Sequence, residues 1–338
     1  MLSESFVYFY TKFIILKLEQ YKEDFLAHLQ EKINVVEPQN LYNPIKYILD
    51  LGGKRLRPIL VLMGTTAFGG DYKNGLDAAL AVEVFHNFTL LHDDIMDDAP
   101  LRRGEATVHE KWDVNTAILS GDAMLILANQ LLESYDGATF KRLMQLFNKT
   151  ALEVCEGQQY DMDFETRNDV TAEEYIKMIG LKTSVLVAAA LEMGAIIARA
   201  SEKDSRKIYE FGLNLGIAFQ LQDDYLDAYG DAATFGKQVG GDIMENKKTF
   251  LYIEALKNAT PELKEELLYW YDQILEDNTE KVARVKELFQ LVGSDTMTRV
   301  AIENYTKKAF DVLDEISISE ANSLVLKQFG QNLMTRTV

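Results

Sequence analysis

Along most of the chain, apolar residues recur at spacings of three and four, the period of a helix rather than the period of two that marks a strand. Leu76, Leu80, Val84, Phe88, Leu91 and Ile95 form one such stripe. The run from Thr171 to Ala200 opens with Thr171 and Glu174 in a capping-box pattern. It is then apolar nearly all round, as a fully buried helix is. Residues 205–230 read the same way, and no segment alternates well enough to predict a sheet. There are five prolines and none between Leu101 and Thr260. Breaks are expected near Glu37–Pro44, Gly69–Asn74, Ala99–Glu105, Arg167–Val170 and Asp231–Asn246. No low-complexity linker intervenes, so residues 1–338 read as a single all-α domain.

Composition narrows the partners. Hydrophobic residues make up 47% and charged residues 26%, the ordinary globular balance, so a sizeable core is expected. A net charge of −18 disfavours nucleic acid and anionic membrane surfaces. Phosphate ligands remain open through metal ions or a local basic cluster. The lone Cys155 excludes an internal disulfide, fits a reducing cytoplasm and is expected to be a small buried hydrophobe. The N-terminal FVYFYTKFIIL, interrupted by Lys12, is too short to span a bilayer and lacks the features of a signal peptide. It reads as the start of a first helix that packs on another subunit.

The chemistry concentrates in LLHDDIMDDAPLRRG, residues 90–104. Asp93 and Asp97 stand four apart, on one helical face about 5–6 Å apart at Cβ, with Asp94 beside them. The pattern recurs as Asp223, Asp224 and Asp227 inside another apolar helical stretch. A solvated face would explain one cluster, but uncompensated carboxylates resist burial among core-like residues. Hard divalent cations resolve the conflict, because Mg²⁺ takes carboxylates together with phosphate oxygens. Two such helices facing each other would clamp metal ions around a diphosphate. Neither cluster has the spacing of an EF-hand loop.

Cations accompany both clusters. LGGKRLRP offers Lys54, Arg55 and Arg57 after a Gly-Gly turn at a helix start, a setting suited to a diphosphate. Arg102 and Arg103 follow the first cluster, Lys182 lies in the apolar run, and Lys237, Lys247 and Lys248 follow the second. Singly, each would be a surface charge; together they surround the carboxylate motifs. His86 lies two helical turns before Asp93, on the same face.

The ordered set GGKRLRP, DDIMD with LRRG, GQQYD, LKTS, FQLQDDYLD and GKQVGGDIMENK resembles the trans-isoprenyl diphosphate synthase, or polyprenyl synthetase, family from about residue 50 to 250. The resemblance implies a bundle of mostly antiparallel helices around a central cavity, in a homodimer. It also implies a reaction in which an allylic diphosphate ionises and isopentenyl diphosphate attacks the cation. Three Mg²⁺ per site are implied, with Mn²⁺ able to substitute. By carry-over, Asp93, Asp97 and Asp223 ligate metal, while Asp94, Asp224 and Asp227 ligate or orient. Arg102, Lys182 and Lys237 would grip the allylic diphosphate, and Lys54, Arg57, His86 and Arg103 the isopentenyl diphosphate, with Lys247 a further substrate contact. Thr183 and Gln220 would stand beside the forming cation, and Gln158 and Asp161 would line the site. The two arginines are expected to face substrates rather than neutralise the aspartates.

Within the family, positions four and five before the first aspartate help set product length, and here these are Thr89 and Phe88. One aromatic there, with no insertion in the motif, points to geranylgeranyl diphosphate, ahead of farnesyl or longer products. A class I terpene cyclase would replace the second DDxxD and would not need Lys54 and Arg57. An HD-type phosphohydrolase, suggested by His92-Asp93 with His28 or His86, would need imidazole ligands, and the chain has only four histidines. A non-catalytic synthase subunit would have lost one aspartate motif, and both are present.

Overall fold

The computed structural model describes residues 4–230 and 239–334, with side chains from Leu16 onward. Its elements in order are α1 Glu4–Lys32, α2 Gln39–Asp50, α3 Leu56–Ala67, α4 Leu76–Met96, β1 Leu101–Arg102, β2 Glu105–Ala106, α5 Val108–Lys111, α6 Val114–Leu131 and α7 Gly137–Thr166. There follow α8 Ala172–Ile179, α9 Val185–Ile197, α10 Glu202–Tyr229, α11 Gly241–Met244, α12 Phe250–Asn258, α13 Pro261–Tyr271, α14 Thr279–Val292, α15 Ser294–Leu313 and α16 Glu320–Met334. The all-α expectation holds. The only ladder among the described residues is the two-residue β1–β2 ribbon, Leu101 opposite Ala106. Contacts divide the chain into two compact units. One comprises Met1–Asn148, Ala189–Ile208 and Ser317–Val325; the other comprises Lys149–Ala188, Tyr209–Ile316 and Leu326–Val338.

In the first unit, α4 packs on α3 and α6. Leu80, Val84 and Leu91 of the expected stripe are fully buried, and Phe85 meets Phe147 of α7 edge-on at 5.2 Å. Side chains of this kind each stabilise the fold by about 1.5–3 kcal/mol through burial. At α3 and α9 the backbones nearly touch. A Cβ on Gly64 would lie 2.4 Å from the Leu191 carbonyl oxygen, and one on Gly194 2.3 Å from that of Val61.

The second unit is built on a cluster that includes Tyr175, Met178, Leu221, Phe250, Tyr252, Val285 and Phe289. The capping box opening α8 is complete. The Thr171 hydroxyl accepts from the Glu174 N–H at 3.2 Å, and the Glu174 carboxylate accepts from the Thr171 N–H at 2.9 Å.

Three expectations need correction. Pro44 does not end a segment: α2 runs through it, losing one backbone bond while burying Ile45, Ile48 and Leu49. The run after Thr171 is interrupted at Gly180–Ser184, where the helix widens into a π-turn. Cys155 is exposed rather than buried, because it falls on the outward face of α7 near Leu152. Partial desolvation and then Glu156 push its thiol pKa up, so it is no reactive thiolate. One described helical run, Ala172–Ile197, is long and apolar enough to cross a membrane, and 67% of its apolar window is buried inside the structure.

Candidate active site

Helix α4 delivers the first aspartate motif at its C-terminal end. Asp97 is the cap residue, yet its backbone stays right-handed and its N–H reaches the Asp93 carbonyl at 2.9 Å. The four-residue spacing therefore keeps Asp93 and Asp97 on one face. Asp94 turns the other way. It is 2% exposed, and Arg102 grips it with Nε 2.8 Å from each carboxylate oxygen and Nη2 2.6 Å from Oδ1. Burial raises the Asp94 pKa, and the guanidinium opposes that shift.

The expectation that neither arginine would neutralise an aspartate is thus corrected for Arg102. The cause is the β1–β2 ribbon, which turns through Arg103 and Gly104, both at positive φ (56° and 82°). Arg102 ends β1 and turns to Asp94, while Arg103, in the left-handed turn, is directed to the GGKRLRP segment. Arg103 Nη1 donates to the Gly52 carbonyl there. A Cβ on Gly53, itself at φ +120°, would lie 2.8 Å from Arg103 Nη2. Gly53 leaves room for the Arg103 guanidinium, and Gly52 takes a positive φ of 80° with open space around it.

His86 and Arg57 complete this basic cluster. Arg57 Nη1 donates to His86 Nε2 at 3.1 Å. Burial, then the charges of Arg57, Arg103, Arg102 and Arg55, hold the His86 pKa well below its ordinary value, so the ring is neutral. Lys54 is exposed beside them. Arg55 is not part of a ligand surface, since it is buried against Glu83 and the Leu49 carbonyl. Two residues on from His86 and so on the opposite face of α4, Phe88 is buried with its ring 5.6 Å from Phe85 and 4.7 Å from His92. Thr89 bonds back to the His86 carbonyl at 2.8 Å.

The second motif repeats the geometry of the first. Asp224 is the buried member, 5% exposed. The Tyr175 hydroxyl donates to its Oδ2 at 2.5 Å and the Gln220 amide to its Oδ1 at 3.1 Å. Burial and then the Asp242 carboxylate push the Asp224 pKa up to about 8. Asp223 and Asp227, four residues apart on α10, share a face and are half-buried. Asp227 Oδ2 accepts from the Asp242 N–H at 3.0 Å. Lys182 and Thr183 sit in the π-turn, a local widening often found at functional sites. Lys182 Nζ lies 2.5 Å from Asp161 Oδ2. A Cβ on Gly157 would lie 2.2 Å from the Lys182 backbone nitrogen, which explains the glycine beside Gln158.

The lysines after the second motif separate. Lys247 is exposed, 2.8 Å from Glu245 and 3.8 Å from Asp242. Lys248 donates to the carbonyls of Phe164, Glu165 and Arg167 at the end of α7, which makes it a helix cap. Lys237 lies outside the described residues. The histidines do not assemble as an HD site would need. His28 lies 2.8 Å from Asp77, His86 bonds Arg57, and His92 Nε2 bonds the Ile118 carbonyl at 3.2 Å. Among the described residues, only His109 joins a set of possible ligands, with Asp98 and Glu110, away from the pairings that reading required.

Sequence reasoning missed Tyr175, Glu83 and the π-turn. The one signal for Tyr175 was a hydroxyl-bearing ring in an otherwise apolar run, which must find a partner when buried.

A family model described as polyprenyl synthetase matches residues 38–292. A crystal structure of a geranylgeranyl pyrophosphate synthase superposes with a TM-score of 0.91 at 54% identity, covering 94% of this chain and 98% of the other. The geranylgeranyl diphosphate synthase of Saccharolobus solfataricus is 41% identical over 295 residues, 86% of this chain and 88% of its own length. The geranylfarnesyl diphosphate synthase of Natronomonas pharaonis is 40% identical over 246 residues, 67% of this chain and 72% of its own. The chain has the all-α isoprenoid synthase fold and belongs to the polyprenyl synthetase family, the divalent-metal-dependent trans-prenyltransferases that act on prenyl diphosphates.

Proposed function

We propose that this chain is a geranylgeranyl diphosphate synthase, condensing isopentenyl diphosphate with allylic diphosphates up to that length. The observation that carries the site assignment is the shared anchoring of the two motifs. In each, the second aspartate is buried and tied down, Asp94 by Arg102 and Asp224 by Tyr175 and Gln220. That leaves Asp93 and Asp97, and Asp223 and Asp227, as oxygen donors off the buried side. An all-oxygen carboxylate set suits Mg²⁺, and we assign these four to three Mg²⁺, with Mn²⁺ able to substitute. Mg²⁺, when bound, supplies the Lewis acid that stabilises the departing diphosphate. Asp94 and Asp224 act by orienting the motifs.

The remaining steps fall to side chains. Lys54, Arg57 and Arg103 bind the diphosphate of isopentenyl diphosphate, and neutral His86 adds a hydrogen bond without a charge to repel Arg57. Arg102, whose side chain is 24% exposed, Lys182, Lys237 and Lys247 serve the allylic diphosphate. Asp161 holds Lys182 in place until substrate arrives. The allylic C–O bond breaks, the isopentenyl double bond attacks the cation, and loss of a proton restores an alkene. Thr183 and Gln220 provide polar contacts near that cation. Phe88, packed on Phe85 and His92, supplies the floor that stops elongation, with Thr89 beside it.

The family match runs through both compact units, which supports one catalytic domain over residues 1–338. Val114, Ile118, Leu119 and Ile126 of α6 are exposed apolar residues at helical spacing, a surface suited to a second copy in a homodimer. A cytoplasmic setting fits the single cysteine, and the burial of Ala172–Ile197 fits a core helix rather than a membrane span. The deciding experiment supplies dimethylallyl and isopentenyl diphosphates with Mg²⁺, then chromatographs the dephosphorylated products. Geranylgeraniol as the main product supports the reading; farnesol or a longer alcohol overturns the product assignment. Wild-type turnover by Asp93→Ala or Asp223→Ala would overturn the metal assignment.

A further inference from the structure

The residues after the second motif fold back onto it. The Gly240 N–H donates to the Asp227 carbonyl at 2.7 Å, and the Asp242 N–H donates to the Asp227 carboxylate at 3.0 Å. A turn from Gly240 to Asn246 therefore holds Asp227 at two atoms. Gly240 and Asn246 are both at positive φ, 85° and 58°, so this turn is shaped by more than its own preferences.

It is held from α14. Lys281 is 0% exposed, and its Nζ lies 2.6 Å from Asn246 Oδ1, 2.9 Å from the Gln273 carbonyl and 3.4 Å from the Met244 carbonyl. Its neighbour Val282 presses on the other end of the turn, where a Cβ on Gly240 would lie 2.6 Å from Val282 Cγ1. A buried ammonium is tolerated only when its donors are matched, and here all three have oxygen acceptors. An apolar side chain of the same length would fill this space without that desolvation cost. What it could not do is tie together the two strands of backbone that meet at Lys281.

We propose that Lys281 is a positioning residue for Asp227. It fixes the Gly240–Asn246 turn, the turn's N–H groups aim the Asp227 carboxylate, and the affinity of the second aspartate motif for divalent cation is set accordingly. This rests on the reading of Asp227 as a metal-holding group.

Two readouts test it in the full-length protein: hydrogen exchange over residues 239–249, and Mn²⁺ binding followed by the electron paramagnetic resonance of the free ion in the presence of inorganic pyrophosphate. Lys281→Met should speed exchange in the turn and raise the half-saturating Mn²⁺ concentration about tenfold, the scale of losing a group that orients a ligand. Turnover at saturating metal should change far less. Asn246→Ala, which removes one acceptor, should shift both readouts the same way and decides the matter if Lys281→Met does not fold. Faster exchange with unchanged Mn²⁺ binding in these variants overturns the proposal and leaves Lys281 a scaffold residue. Asp227→Asn separates the causes. If it raises half-saturation while the Lys281 and Asn246 variants do not, the proposal alone fails; if it has no effect, the metal reading of Asp227 fails with it.

Discussion

The Tyr175 hydroxyl donates to Asp224 Oδ2 at 2.5 Å, joining α8 to α10 through two buried polar groups. Removing one partner of a buried acceptor costs about 1–3 kcal/mol. Tyr175→Phe should therefore lower unfolding free energy by about that amount in urea denaturation. It should also reduce Mg²⁺-dependent turnover while secondary structure by circular dichroism is unchanged. Full stability and turnover in the variant would show that Gln220 alone holds Asp224.

Gly157 and Gly137 give a contrast within one helix. A Cβ on Gly157 meets the backbone of Leu181 and Lys182, which cannot rotate away, whereas one on Gly137 meets nothing within 4 Å. Gly157→Ala should cost about 1–3 kcal/mol and depress turnover by displacing Lys182. Gly137→Ala should be neutral or stabilising by up to about 1 kcal/mol. Thermal unfolding of the two variants, with turnover beside it, checks both.

His86 carries a pH signature whose sign is fixed by its surroundings. Its folded pKa is depressed by burial and by four arginines, so below the unfolded value of about 6.5 the unfolded chain takes up a proton that the native state refuses. Stability contributed by this group is therefore present above about pH 6.5 and falls as the pH drops below it. Wild-type Tm should decline more steeply than that of His86→Gln between pH 7 and pH 5. Parallel curves would mean that the imidazole is protonated in place.

Phe88 should act as a stop. With the ring removed in Phe88→Ala, the product distribution should move beyond geranylgeranyl diphosphate, read by chromatography of the dephosphorylated alcohols. Phe88→Tyr keeps the ring and should not lengthen the product. An unchanged distribution in Phe88→Ala would place the floor elsewhere.

Much of this molecule was legible in its sequence because helical periodicity and the aspartate spacing are both local. Asp93 and Asp97 share a face by arithmetic alone, and the Thr171 capping box is complete within four residues. What could not be read was long-range. Nothing near Asp94 in sequence says that a ribbon will aim Arg102 at it and Arg103 away. Nothing local to Lys281 points to its acceptors at Met244, Asn246 and Gln273, which lie 8 to 37 residues away in sequence. The exposure of Cys155 escaped for the same reason, since composition records how often a residue type is buried but not which way one helix is turned.

The π-turn at Gly180–Ser184 carries one residue more than an α-turn. Each residue of helix contributes about 100° of rotation, so the extra one resets the angular phase of all that follows. A single rod can then obey two different packing partners along its length. Deleting one residue from this turn would leave the composition and helical content almost untouched. Yet it would swing Lys182 about a quarter-turn relative to Tyr175 and uncouple the Asp161 contact from the Asp224 contact. The turn is a phase shifter, and Lys182 sits where the phase changes.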